Sequence, residues 1–174
     1  AYALQVLAAV LDGYDGARLT RRLVRDQQVA VSVGASYDTG NRGPALFHLH
    51  GVPAAGTTPD ALAAALRAEL QRIRDEGISA QELARVKTQA IAAEVYKRDS
   101  LMGQAMEIGY LESAGMSWRD EKRLLDGLRA VTAEEVQAVA KRYFDDLSLN
   151  TARLEPQALG EKRARAPAAT TSRH

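Results

Sequence analysis

His48 and His50, two imidazoles one residue apart, are the first feature of this chain whose type and spacing could do chemistry. In an extended segment, residues two apart project from the same face, so both could approach one cation. A closed zinc site needs further ligands, however, and the sequence offers no obvious third or fourth. The chain has no cysteine, and its only other histidine, His174, is the last residue. The spacing therefore reads as an exposed or hydrogen-bonded pair on a sheet surface, and no residue is assigned as a metal ligand. The helical arrangement H-x-x-E-H, in which two imidazoles one turn apart hold zinc around a glutamate base, is absent. Three histidines in all leave no room for it under another spacing.

Nucleophiles are equally unsupported. Ser32, Ser36, Ser100 and Ser113 lie outside any G-x-S-x-G elbow and read as solvated or capping hydroxyls. The run GASYDTGNRG has glycines but neither G-x-G-x-x-G nor P-loop order, and it joins two strands, so it reads as a hairpin turn. Glu82 is accounted for by a capping box with Ser79 and by surface pairing with Arg85 on the next turn. Tyr110 and Trp118 read as packing anchors beside helix ends. No catalytic residue is assigned, and substrate-binding residues stay unassigned.

The elements that would position these groups change period along the chain. Leu4, Leu7 and Leu11 mark a short buried helix that ends at DGYDG, and Leu19 with Leu23 mark a second, amphipathic one whose Arg18, Arg21, Arg22 and Arg25 form a wet face. Val29, Val31 and Val33 then alternate with small residues, as do Phe47 and Leu49 with the two histidines, predicting an antiparallel hairpin. Thr58 before Pro59 caps a helix with the stripe Leu62, Leu66, Leu70 and Ile73. Ser79 with Glu82 opens another, running to about Asp99 or, with a bend near Gly103, towards Leu111. Ser117 caps a third and the Thr132/Glu135 box a fourth, and the run LSLNTARL predicts a closing strand. The order helix, helix, strand, strand, four helices, strand describes an α+β fold in which an antiparallel sheet is packed on helices, not a doubly wound nucleotide binder.

Length and charge set outer bounds. A chain of 174 residues fits one domain, placed at 1–155, and carries 23 Lys plus Arg against 22 Asp plus Glu. That balance gives no global field to recruit nucleic acid or an acidic membrane, and no apolar run approaches the ~20 residues of a membrane helix. Residues 156–174, with Lys162, Arg163, Arg165 and Arg173 among small residues, read as a flexible basic tail. The direct start at Ala1, without initiator Met or leader, suggests a piece of a longer polypeptide.

Three blocks carry a family resemblance. GARLTRRLVRDQQVAVSVGAS resembles the stretch of insulinase-like (pitrilysin-type) and mitochondrial-processing-peptidase-like zinc metalloproteases that reads roughly S-S-R-L-x-x-x-L-R-E-K-R-G-L-A-Y-S-V. Ala17, Arg18, Leu19, Leu23, Ala30, Ser32 and Val33 stand where that pattern puts them. DEGISAQELARVKTQ is similar to the family's EG-[IV]-[ST]-x-x-E-L-x-x-[AV]-K helix start, and LRAVTAEEVQAVAKRYF to its ending; the blocks follow in the family's order.

The resemblance is to the second, zinc-free (C-terminal) domain of a subunit whose first domain bears the metal. It implies peptide-bond hydrolysis by zinc-activated water in the parent protein, with this domain closing a chamber over the substrate and inactive on its own. Implied partners are a peptide or protein substrate, the N-terminal zinc domain of the same parent chain and a second homologous subunit; nucleic acid and a membrane span are not expected. By resemblance to bacterial relatives the location is periplasmic. One departure stands out: many second-type domains supply an Arg and a Tyr, seven residues apart, to the substrate, but Val24 and Val31 occupy those positions here and Arg25 is one residue off. That role is carried to no residue. The alternative is a non-catalytic scaffold subunit of the same fold that has lost zinc.

Overall fold

A computed structural model describes residues 1–40, 43–97 and 99–155; the basic tail expected at 156–174 lies outside the described residues. Helix α1 (Tyr2–Asp12) buries Leu4, Leu7 and Leu11, as its spacing predicts, but also Val6, Ala8 and Val10. A helix apolar nearly all round must be enclosed on every side. Here the hairpin and three later helices contact α1, which makes it the axis of the core.

The second helical segment is not the expected α-helix. Residues Thr20–Asp26 form a π-helix, in which Gln27 N–H bonds back five residues to the Arg22 carbonyl at 2.9 Å. Leu19 and Leu23 are both fully buried, as expected, while Arg18 is buried too and does not belong to a wet face. Gln28, at φ +55°, then reverses the chain, and Val29 N–H closes the turn on the Leu23 carbonyl. This left-handed conformation is one that side chains other than Gly and Asn rarely adopt.

Strands β1 (Ala30–Tyr37) and β2 (Phe47–Pro53) pair antiparallel with Ala35 opposite Leu49 and Gly34 opposite His50. The register slips between Ala30 and Ser32, so Val31 is the extra residue of a β-bulge. That corrects the simple alternation: Val33 stays on the core side while Val31 turns out and is 65% exposed. Tyr37, Phe47 and Leu49 line the inner face, where Phe144 meets Phe47 edge-on at 4.8 Å.

Five α-helices follow instead of four. Helix α2 (Pro59–Glu76) is capped by Thr58, whose hydroxyl accepts from Ala61 N–H, and buries its predicted stripe. Helix α3 (Ala80–Lys97) stops before α4 (Leu101–Ser113) begins, because Ser100 accepts the Gly103 N–H and starts a new helix. Of the two ends read from the sequence, the one near Asp99 is close to the observed one, and the stretch towards Leu111 is a separate helix that Ser100 caps. A 3-10 turn (Trp118–Asp120) leads into α5 (Glu121–Ala130), and the Thr132/Glu135 capping box opens α6 (Ala133–Tyr143).

Residues 147–154 do not form the expected closing strand. A strand exists only where a neighbour supplies its ladder. None does so here: the segment is held by Ser148 on Asp145 and Arg153 on Asp60, and Leu147 and Leu154 face solvent.

Candidate functional site

Helices cover one face of the hairpin and leave the other open. Because opposed residues of a ladder share a face, Ser32 with Val52 and Ser36 with His48 stand on the outer side, all exposed. His50 lies over Gly34, where any Cβ would collide with its imidazole, so the glycine is what lets this ring lie down on the sheet. The Asp12 carboxylate approaches the same side of Gly34, accepts the Ala35 N–H at 3.2 Å and ties the end of α1 to β1.

This face presents imidazoles and hydroxyls, but not an assembled reaction centre. Among the described residues no hydrogen bond joins Ser36 to His48, the contact by which a base would activate a serine. The donor set does not fit zinc either. Across from His48 and His50 stand Ser36 and Gly34, not a third imidazole or carboxylate, and no group of three or more His, Asp or Glu close enough to hold a metal occurs among the described residues. Val24 packs half-buried against the core and Val31 projects from the bulge, so neither position offers a hydrogen-bond donor to a substrate. Arg25, at the end of the π-helix, is exposed.

Two polar constellations were only partly legible in the sequence. Glu82 does form the capping box with Ser79, yet its charge partner is Arg18, sixty-four residues away, and not Arg85. Arg18 grips it with Nε at 2.6 Å and Nη2 at 2.8 Å while Nη2 also donates to the Gly77 carbonyl. The guanidinium hydrogen bonds are the main reason the Glu82 carboxyl is held down at about 2, and Glu82 in turn raises Arg18. Glu69, only 1% exposed, sits among the leucines of α2 and meets Arg72 and Arg22. It lies seven residues after Leu62, two helical turns on, which was the available signal that it shares the buried stripe.

A third link joins α4 to the hairpin. Tyr110 donates its hydroxyl to Asp38 at 2.5 Å, and Asp38 also accepts the Gly40 N–H. The shared proton donor lowers the Asp38 carboxyl, and the carboxylate pushes the Tyr110 phenol up to about 12. Tyr110 is therefore an anchor through its hydroxyl, and at 43% exposed not the packing anchor that its position beside a helix end suggested. Otherwise α4 is thinly attached: Leu111 is buried, whereas Leu101, Met102 and Met106 are exposed.

Helices laid on one side of an antiparallel hairpin, with the other side open, define an α+β domain of the kind the sequence blocks implied. The family model described as the peptidase M16 inactive domain matches residues 1–90. The chain belongs to that family. Solved structures share its fold at low identity. A protease from Helicobacter pylori superposes with a TM-score of 0.76 at 17% identity over 84% of this chain and 35% of its own. The inactive peptidase domain of a candidate zinc protease from Bordetella parapertussis gives 0.76 at 23% identity, over 95% of this chain and 86% of that one. A peptidase M16 inactive domain from Pseudomonas fluorescens gives 0.64 at 16%, over 83% of this chain and 34% of that one. No curated protein matches the sequence. The chain spans about a third of the Helicobacter protease's length. No helix among the described residues is long and apolar enough to cross a membrane.

Proposed function

We propose that this chain is the zinc-free wall of a peptide-hydrolysing metalloprotease, closing a chamber over the substrate and cleaving nothing by itself. The observation that carries this reading is membership of a family described as an inactive peptidase domain. The open hairpin face, with Ser32, Ser36, His48 and His50 free of covering helices, is consistent with a surface turned to a peptide. The zinc, its H-x-x-E-H ligands and the glutamate base belong on this reading to an N-terminal domain of the same parent chain. Val24 and Val31 leave this side without substrate-directed donors, so a second, homologous subunit bearing an Arg and a Tyr completes the site. The parent protein is assigned to the periplasm by resemblance to bacterial relatives.

The test is reconstitution. The chain alone should show neither stoichiometric zinc by elemental analysis nor cleavage of an unfolded protein such as reduced casein. The parent protein with its homologous partner should show both, and cell fractionation should place them in the periplasm. A parent protein that holds no zinc and stays inert with its partner favours the scaffold reading, to which Val24 and Val31 also conform.

A further inference from the structure

A second concave surface lies away from the hairpin face, where the α1 to π-helix connection meets the start of α3. The cleft has a volume of about 300 Å³, and Tyr14, Arg18, Arg21, Arg22, Glu82 and Arg85 supply its charged and aromatic lining. Two of these arginines are already committed. Arg18 holds Glu82, and Arg22 faces the buried Glu69 at 3.5 Å. Arg21 and Arg85 are exposed, and among the described residues neither has a carboxylate within 4.0 Å. Arg85 lies over the Tyr14 ring, its guanidinium carbon 5.5 Å from the centroid, within cation–π reach. Once the internal ion pairs are counted, the cleft keeps two uncompensated positive charges in a chain whose net formal charge is only +1.

We propose that this cleft is a carboxylate site, in which Arg21 and Arg85 receive an acidic side chain of a peptide. Guanidinium donors match a planar carboxylate in charge and in hydrogen-bond direction. A nucleic acid fits less well, since a polyanion needs a track of cations and this cleft offers only the two uncommitted arginines. The ligand's being a peptide rests on the chamber function proposed above. Binding is separable from hydrolysis, so the site can fail while that reading stands, and the reverse.

The test uses the 174-residue chain and fluorescence anisotropy with a labelled peptide, Ala-Glu-Ala-Glu-Ala, against its Gln counterpart. The acidic peptide should bind about tenfold more tightly, and the preference should shrink as salt rises from about 50 to about 300 mM. The double variant R21Q/R85Q should abolish the preference, R21K/R85K should retain part of it, and R25Q, outside the cleft, should leave it intact. Melting temperatures confirm that the exposed substitutions leave the fold alone. Equal binding of the two peptides, an unaffected R21Q/R85Q variant, an R25Q loss as large, or tighter binding of a short single-stranded oligonucleotide would each overturn the proposal.

Discussion

At the scale of single residues, the buried charges divide into two kinds. Glu82 is partly exposed and well satisfied, with two bonds from Arg18 and two from Ser79. Its folded-state pKa lies near 2 against a reference of 4.5, so its contribution is complete above about pH 4.5 and disappears as pH falls toward 2. Glu82→Gln keeps the cap geometry and removes the charge; after allowance for solvent screening it should cost about 1–2 kcal/mol at neutral pH. In urea unfolding, the gap between wild type and variant should close on acidification to pH 2.5. Glu69 is the opposite case, because its Oε2 lacks a hydrogen-bond donor although the residue is buried. Glu69→Met, which fills the same space without charge, should change stability by less than about 1 kcal/mol, because Arg22 and Arg72 are partly exposed and can turn to solvent, whereas Glu69→Ala should cost about 2–4 kcal/mol through the cavity it leaves. If the two substitutions unfold at the same urea concentration, the packing argument is wrong.

Among the elements, the exit of the π-helix stores local strain. The family pattern that this segment resembles carries a glycine where this chain has Gln28, and the backbone there sits at φ +55°. Gln28→Gly should therefore stabilise the domain by about 0.5–1 kcal/mol, readable as a rise in melting temperature. The clasp between α4 and the hairpin gives a coupling experiment. A Cβ at position 40 collides with the Tyr110 hydroxyl, so Gly40→Ala should destabilise the wild type by about 1 kcal/mol yet cost almost nothing in a Tyr110→Ala background. Additive effects in that cycle would mean that the clasp does not hold α4 in solution.

For the molecule as a whole, patterns set by local physical chemistry were readable and those set by distant partners were not. The caps at Thr58, Ser79 and Thr132 could be read because a side chain bonds an amide three residues on, and the burial of Leu19, Leu23 and the α2 stripe because helical period brings apolar groups to one side. The outward pair His48 and His50 followed from the period of two in a strand. Beyond that reach the sequence was silent. Only the folded chain decided that Glu82 would answer to Arg18, that Val31 would bulge outward, and that residues 147–154 would go without a ladder. It alone brought Arg21 and Arg85, from elements sixty-four residues apart, to one cleft. The sequence by itself determined the helix caps, the buried helical stripes, the hairpin and the family, since these rest on short-range spacing. Which charges meet, and which stay free for a ligand, was settled by tertiary packing, because a charge is satisfied by whatever the fold sets beside it and not by its neighbours in the chain.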